Sequence, residues 1–171
     1  MASIFNKKQL EMKLIEPKLQ EFTWSKSVKL NSLVNSDDYI FDIKTIGPGK
    51  FSYPYHFHYN CEEILVVLKG CMTLRTPDGF QKLAESDIVF FEKGSSGAHQ
   101  LYNDTNESCT YLDIKSQKEL DVCEYPDSDK INIMNDVIKI SLKGDEVDYF
   151  YGEENVHDTW KKHGFDFKSE Q

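Results

Sequence analysis

Arginine, long apolar runs and paired cysteines are all scarce in this sequence. Arg75 is the one arginine among 20 basic residues. Arginine is the preferred bidentate partner of carboxylates and phosphates, so its scarcity argues against a polyanionic substrate such as a sugar nucleotide, although lysine could still serve. The longest apolar run, Ile64–Leu68, is far too short to span a bilayer. The first residues, MASIFNKKQLEMK, lack the apolar core of a secretory signal, so we expect a cytoplasmic protein.

The charge balance argues against a nucleic-acid-binding protein, and the cysteine spacing argues against a disulfide-linked one. With 29 acidic and 20 basic residues the formal net charge is −9, whereas a nucleic-acid-binding protein usually carries a basic face. The four cysteines form no CxxC pair, and we interpret them as reduced structural thiols without a disulfide framework. They are Cys61, Cys71, Cys109 and Cys123.

The length and the patterning predict a single all-β domain over residues 1–171. From residue 39 to residue 116 short apolar or alternating runs recur, among them YIFDIKTI, EEILVVLKG and CTYLDIK, and turn signals such as GPGK and GSSG separate them. Many short strands at this spacing indicate a sandwich or a barrel. No segment between residues 39 and 115 has the length and period of a helix, and PDG at 77–79 predicts a tight hairpin turn.

The two ends of the chain carry weaker patterns. Residues 1–38 form an N-terminal extension, in which residues 5–16 show a weak helical period that stops before Pro17. After residue 116 we predict further strands in INIMNDVIKISL and VDYFYGEE. The last residues, ENVHDTWKKHGFDFKSEQ, are polar and are expected to form a short tail or a small surface element.

The stretch HFHYNCEE carries the strongest chemical signal. Residues two apart on a strand share a face, so His56 and His58 project together. The following residues resemble a short turn. If the next strand pairs antiparallel, its first residue, Glu63, lies beside the histidines, and Glu62 points away.

A third imidazole supports a metal site. His99 follows a glycine-rich loop and opens another short strand. Three imidazoles and a carboxylate on one inner surface suit a divalent transition metal. A lone histidine in a strand is more often structural, and that reading is kept for His157 and His163 in the polar tail.

Two motifs in this region resemble those of the cupin superfamily. The first motif, HxH followed by glutamate and then by glycine six residues later, matches His56, His58, Glu63 and Gly70. The six-residue count to the glycine favours Glu63 over Glu62. The second motif keeps a histidine and an asparagine in GSSGAHQLYN, but it lacks the usual proline and has Ser96 where glycine is common. CEYPDSDK is similar to a stretch in small bacterial single-domain cupins.

The resemblance implies a double-stranded β-helix of the jelly-roll type. It implies that His56, His58, Glu63 and His99 bind a divalent metal (Fe, Mn, Zn or Ni) inside the barrel mouth. It does not imply a reaction, because one fold can support many chemistries.

Three hypotheses for the function follow. The first is a metal-dependent enzyme of the oxygenase or isomerase type acting on a small organic molecule. The second is a non-catalytic small-molecule-binding or sensor cupin, and the third is a metal-stabilised structural dimer module. Arg75 shares strand parity with Glu63 and could orient an anionic substrate group, although a surface position near the PDG turn is at least as consistent with the sequence.

The strand after the histidines also suggests a subunit interface. Ile64, Val66 and Leu68 are apolar on the face opposite Glu63, and a strand that is apolar on both faces is usually covered on both. We therefore expect a homodimer.

Overall fold

The structure, a computed structural model, describes residues 2–6, 10–34, 36–134 and 138–144, with 155, 158 and 162 as single positions. Within this part of the chain the regular structure consists of thirteen β-strands and four short 3₁₀ turns, apart from positions 158 and 162, which are helical. The strands are β1 (Lys13–Ile15), β2 (Trp24–Lys26), β3 (Tyr39–Ile46), β4 (Phe57–His58), β5 (Glu63–Lys69), β6 (Met72–Thr76), β7 (Gly79–Leu83), β8 (Ile88–Phe91), β9 (Gln100–Tyr102), β10 (Cys109–Ser116), β11 (Asp121–Tyr125), β12 (Lys130–Met134) and β13 (Ile138–Leu142).

Six strands form one large antiparallel sheet in the order β1-β2-β3-β10-β5-β8. Its centre is the long strand β10, which pairs along its whole length with β3 on one side and with β5 on the other. Consecutive positions on each strand alternate between the two faces. The inner face of β5 therefore carries Glu63, Leu65 and Val67, all of which are buried.

Two smaller sheets form the opposite wall. One has the order β13-β12-β11-β4 and the other the order β7-β6-β9. Isolated bridges between Phe51 and Tyr102 and between His56 and His99 join them. Two of the predicted metal ligands therefore lie at the seam between the small sheets, facing the first residue of β5.

The hydrophobic core fills the closed end of the barrel. Its members come from both walls and all are nearly inaccessible to solvent: Ile46, Leu65, Val67, Met72, Leu74, Leu83, Phe91, Leu101, Cys109 and Tyr111. Two tight connections border this core. The PDG turn joins β6 to β7, and Gly79 adopts a φ of +119° there. Gly70 adopts a φ of +84°, and a Cβ at this position would lie 2.9 Å from the carbonyl oxygen of Ser108.

The all-β architecture and the hairpin at PDG are confirmed, and so is the absence of an α-helix from the described residues between 39 and 115. The helical pattern at residues 5–16 was wrong. Where this segment is described, residues 13–15 form β1, which pairs with β2, because tertiary pairing with a sheet edge outweighs a weak helical period. Phe5 packs edge-on against Phe41, with 6.0 Å between ring centroids, so the extension covers part of the large sheet.

The C-terminal predictions are confirmed only in part. INIMNDVIKISL supplies β12 and β13, as expected. VDYFYGEE, His157 and His163 lie outside the described residues. Among the residues that are described, no helix is long and apolar enough to cross a membrane.

Candidate metal centre

Three histidines and a glutamate meet where the two walls of the barrel face each other. His58 ends β4 and His56 lies two residues before it, so both side chains point inward. A backbone bridge pairs His56 with His99, in which each residue donates its N–H to the carbonyl of the other. Glu63 begins β5 on the opposite wall. All four side chains are buried.

The distances fit a shared ion. Donor atoms of His56, Glu63 and His99 all lie within 4.8 Å of one another. The Nε2 atom of His58 lies 3.6 Å from Oε1 of Glu63, and Nε2 of His99 lies 3.3 Å from Oε2 of the same carboxylate. Ligand atoms that sit about 2.1 Å from one metal ion are roughly 3.0–3.4 Å apart, so these separations leave room for an ion between them.

The opposite side of each imidazole ring is fixed by a hydrogen-bond acceptor. Nδ1 of His56 lies 2.9 Å from the Pro54 carbonyl oxygen, and Nδ1 of His99 lies 2.9 Å from that of Gly97. Nδ1 of His58 lies 2.6 Å from the Asp121 carboxylate. An imidazole that donates from Nδ1 keeps its lone pair on Nε2, which is the tautomer a metal ligand needs.

The buried carboxylate of Glu63 has an oxygen atom that lacks a partner and that a cation would satisfy. Its Oε2 atom is buried and has no hydrogen-bond partner among the described residues. Burial, reinforced by the nearby Asp113 carboxylate, raises the pKa of Glu63 to about 7. Burial also lowers the pKa of His56 well below its ordinary value and lowers that of His99, so both rings stay neutral. This donor set fits a divalent transition metal.

Asp121 is a member of the site that sequence reasoning missed. Burial opposes its charge, but the hydrogen bond with His58 and the nearby Lys115 ammonium outweigh that effect and lower the pKa of Asp121 to about 2. The carboxylate also accepts a hydrogen bond from the backbone N–H of Asn60. Asp121 therefore holds the His58 ring in one orientation from outside the group of candidate donors. Because Asp121 lies 63 positions after His58 and has no local motif, only the pairing of β11 with β4 reveals it.

Cys123 is the second residue that was missed. It pairs directly with His58 across β11 and β4, and its sulfur lies within 4.8 Å of donor atoms of His56 and His58. Burial raises the pKa of Cys123 to about 12, so the side chain is a neutral thiol at physiological pH. The prediction that Cys123 is reduced agrees with this placement beside the imidazoles.

The loop before His99 adopts a conformation that requires glycine at positions 94 and 97. Residues Ser95–Gly97 form a 3₁₀ turn, which Gly94 enters with a φ of +80°. A Cβ on Gly97 would lie 1.9 Å from the carbonyl oxygen of Glu92, a contact that real side chains do not make. Gly97 can therefore pass close to Glu92 and present its carbonyl to His99.

The family comparison agrees with this geometry. The sequence model of the cupin domain matches residues 43–115, the segment that contains all four residues of the candidate centre. Residues 43–115 of this chain are therefore a cupin domain. No curated protein matches the chain in sequence.

Solved structures with the same fold cover most of this cupin. A proposed sugar phosphate isomerase from Acidithiobacillus ferrooxidans superposes with a TM-score of 0.76 at 24% identity, over 85% of this chain and 95% of that one. A sugar phosphate isomerase of the cupin superfamily from Silicibacter pomeroyi gives 0.74 at 18% identity, over 86% and 98%. The polyketide cyclase RemF from Streptomyces resistomycificus gives 0.57 at 20% identity, over 69% and 81%. These similarities establish the double-stranded β-helix fold.

A cavity of about 260 Å³ opens onto the centre of the cupin barrel. His56, His58 and Glu63 contribute to its floor. The remaining lining combines charged, aromatic and apolar side chains: Lys26, Lys29, Ile40, Phe41, Asp42, Lys44, Tyr53, Pro54, Asp113, Lys115, Cys123, Tyr125 and Met134. Drug-sized ligands usually occupy about 300–1,000 Å³, so the cavity suits a smaller molecule.

A buried charge cluster forms one side of this cavity. Lys44 bonds Asp113, and its ammonium group also lies 3.6 Å from Asp42 and 4.8 Å from the ring centroid of Tyr53. Burial opposes the charge on Lys44, but Asp113 and the other neighbours outweigh it and raise the pKa of Lys44. Lys44 therefore remains a cation, which compensates the Asp113 carboxylate next to the metal ligands.

Arg75 lies outside the cavity. Its guanidinium makes two hydrogen bonds of 2.5 and 2.9 Å with the Asp127 carboxylate, and it stacks over the ring of Tyr55 at 4.0 Å. The side chain is 36% exposed. The strand parity that Arg75 shares with Glu63 therefore does not bring Arg75 to the site. The chain passes at Gly70 from β5 in the large sheet to β6 in a different sheet.

Proposed function

We propose that the protein is a metal-dependent isomerase that moves a proton between neighbouring carbons of a small carbonyl compound of the sugar type. The observation that carries the proposal is the orientation of the donors. Three imidazoles are anchored through Nδ1, and Nε2 of His58 and of His99 lies 3.6 and 3.3 Å from the carboxylate of Glu63, whose buried Oε2 has no hydrogen-bond partner in the described part of the chain. His56, His58 and Glu63 line a small cavity.

His56, His58, Glu63 and His99 would hold the metal. A divalent ion held by these residues would act as a Lewis acid that polarises a substrate carbonyl or hydroxyl oxygen. Four protein ligands leave one or two positions open on an ion that prefers five or six. The metal identity stays among Fe, Mn, Zn and Ni.

Asp113 is the proposed proton acceptor. It lines the cavity, lies on the strand next to Glu63, and is paired with the Lys44 ammonium. In the proposed reaction its carboxylate takes the proton from the carbon next to the carbonyl and returns it to the former carbonyl carbon. The hydroxyl proton passes to the carbonyl oxygen, so substrate and product have the same composition and no oxidant is needed.

The fold neighbours support the choice of an isomerase over an oxygenase. Two of them, at 24% and 18% identity, are named as sugar phosphate isomerases, the first of them provisionally. The cavity is also lined by a carboxylate and two tyrosine hydroxyls, groups that can take part in proton transfer: Asp113, Tyr53 and Tyr125.

The deciding experiment measures turnover with a panel of aldoses, ketoses and their phosphates. The protein is loaded in turn with Fe²⁺, Mn²⁺, Zn²⁺ or Ni²⁺ and incubated in D₂O. We expect aldose–ketose interconversion with deuterium incorporated at the carbon next to the carbonyl. Asp113→Asn should abolish the exchange while elemental analysis still finds bound metal, and Asp78→Asn in the β6–β7 turn is the matched control.

Three results would overturn the isomerase. Substrate-dependent O₂ consumption would assign the site to an oxygenase. Tight binding of a small molecule without turnover for any metal would support the sensor hypothesis. A metal that raises the melting temperature while no small molecule binds would support the structural dimer module.

We further propose that the protein is a homodimer that pairs through the outer face of β5 and β8. Ile88 and Phe90 on the edge strand β8 are 70% and 55% exposed, and Leu68 lies on the same face. Contiguous exposed apolar groups of this kind are unusual on a monomer. Light scattering after size-exclusion chromatography should give a dimer for the natural protein and a monomer for Ile88→Asp; a monomeric natural protein would contradict the proposal.

A further inference from the structure

The cavity above the metal centre has a charge opposite to that of the whole chain. The protein carries a formal net charge of −9. Four lysines nevertheless line this one cavity, at positions 26, 29, 44 and 115. Against them stand three carboxylates, those of Asp42, Glu63 and Asp113. A bound divalent ion would add two further positive charges.

Two of the four lysines have carboxylate partners. Lys44 is bonded to Asp113 and lies close to Asp42, so its charge is compensated. Lys115 has a longer contact of 3.5 Å with Asp121, which is already bonded to His58. For Lys26 and Lys29 no ion pair within 4.0 Å is found in the described part of the chain, so their charges are available to a ligand.

The strand register brings like charges together. Lys26 on β2 pairs directly with Lys44 on β3, and both ammonium groups lie 5.6 Å from the ring centroid of Trp24. Like charges directly opposite on neighbouring strands are destabilising. Asp113 and Asp42 compensate the charge of Lys44, whereas Lys26 has no ion pair in the described part of the chain, so a bound anion would supply the opposite charge that Lys26 lacks.

A further lysine, which has only a long contact of 3.5 Å with Asp121, lies at the same mouth. Lys115 on β10 pairs in register with Glu63 on β5, so it stands beside the proposed metal ligand. Lys29 and Lys115 also line an adjoining open groove of about 690 Å³ together with Lys118, Glu119 and Asp121. Lysines thus follow one side of the cavity out to the solvent.

We propose that Lys26, Lys29 and Lys115 bind the phosphoryl group of the substrate. The inference rests on the proposed function, because it assigns the substrate class of the same site. Lysine ammonium groups bind phosphate as point charges, and a phosphate monoester carries about −1.5 to −2 charges at neutral pH, whereas a carboxylate carries one negative charge. The one arginine is bound to Asp127 outside the cavity. The cavity volume of about 260 Å³ indicates a phosphorylated monosaccharide and not a nucleotide.

The test compares a sugar phosphate with its uncharged and carboxylated relatives. Calorimetry on the metal-loaded protein at low salt measures the affinity for glucose 6-phosphate, glucose, glucuronate and inorganic phosphate. We expect both phosphates to bind and glucose 6-phosphate to bind about 10- to 100-fold more tightly than glucose, the range typical of charge-assisted hydrogen bonds. Glucuronate should bind less tightly than glucose 6-phosphate.

A charge-matched pair of double variants locates the site. Lys26→Gln/Lys29→Gln should remove most of the preference for the phosphorylated sugar, whereas Lys18→Gln/Lys93→Gln, two exposed lysines that do not line the cavity, should keep it. Both variants should retain bound metal and the natural melting temperature. An equal loss in the two double variants would overturn the proposal, as would failure of both phosphates to bind.

The outcomes separate this inference from the proposed function. If phosphate binds through Lys26 and Lys29 but no metal is retained, the isomerase fails and the anion site stands. If the metal-loaded protein turns over unphosphorylated sugars as well as their phosphates, the isomerase stands and the phosphoryl site fails.

Discussion

The inner face of the large sheet has two halves that differ completely in chemistry. At the closed end, Ile46, Val67 and Cys109 are buried among other apolar side chains. At the mouth, the same three strands present charged groups that are also largely inaccessible to solvent: Asp42, Lys44, Glu63, Asp113 and Lys115. The strands run continuously from one half to the other, so the difference lies in the side chains alone.

This contrast separates what folds the protein from what the protein does. Burial of apolar surface stabilises the closed end. Burial of charge opposes folding unless partners and hydrogen bonds compensate it. The buried charges at the mouth are therefore expected to contribute little to stability, and their presence there indicates a functional role. Mutations in the two halves should therefore affect different measurements.

The largest expected effect lies in the apolar half. Ile46→Ala should lower the free energy of unfolding by about 2–5 kcal/mol, because it leaves a cavity where the native side chain is fully buried. Urea unfolding of the metal-free protein measures this, and the metal content per folded molecule should stay unchanged. Leu19→Ala, at a residue that is 62% exposed, is the control. Equal destabilisation by the two substitutions would contradict the assignment of the core.

In the charged half the adjacent glutamates provide a matched test. Glu63→Gln should weaken metal binding by more than about 100-fold, because even changes outside the ligand sphere cost 10- to 100-fold. Glu62→Gln should have no effect, because Glu62 is exposed on the opposite face. Metal titration followed by elemental analysis measures both. The metal-free Glu63→Gln protein should unfold no more easily than the natural one, and equal metal content in the two variants would rule out Glu63 as a ligand.

A smaller effect is expected at the residue that orients His58. Asp121→Asn should weaken metal binding by about 10- to 100-fold. The asparagine amide has no negative charge and is a weaker acceptor for the hydrogen bond from Nδ1 of His58. Asp78→Asn, in the exposed β6–β7 turn, should leave the affinity unchanged. If both variants bound metal like the natural protein, Asp121 would be a structural residue only.

The smallest effect is a pH dependence of metal affinity. The pKa of Glu63 is raised to about 7 in the metal-free protein, and the ion binds the deprotonated carboxylate. Above pH 7 no proton has to be displaced; below it, affinity should fall by about tenfold per pH unit for this one group. Calorimetry in buffers of different ionisation enthalpy should detect nearly one proton released per ion at pH 6 and almost none at pH 8. A pH-independent affinity between 6 and 8 would contradict the assignment.

Local sequence predicted much of the charged half. The alternation of strands fixed the shared face of His56 and His58, and the count to Gly70 distinguished Glu63 from Glu62. These are short-range properties, because strand parity acts over two residues and a hairpin-like turn acts over four or five. The structure brings donor atoms of His56, Glu63 and His99 within 4.8 Å of one another, and Nε2 of His58 lies 3.6 Å from Glu63.

The positions of the charged residues around the candidate centre could not be predicted from strand parity. In YIFDIKTI the apolar Phe41 and Ile43 suggest an inner face, whereas the structure buries the alternate residues Asp42 and Lys44 toward the cavity. The pattern was ambiguous because both faces of β3 are covered, one by the barrel interior and the other partly by the N-terminal extension. Arg75 shows the converse, since parity with Glu63 ended where the chain passed into another sheet.

By itself the sequence predicted an all-β fold and the shared face of His56, His58 and Glu63, because strand alternation and turn chemistry are local. The resemblance to cupin motifs added the barrel type and His99 as a predicted fourth ligand. The tertiary structure alone decided that Asp121 supports His58, that Lys44 is paired with Asp113 and that Arg75 is engaged elsewhere. It also decided that unpaired lysines gather above the centre. These relations join strands that lie dozens of residues apart, and sheet pairing, not chain proximity, sets which charges meet.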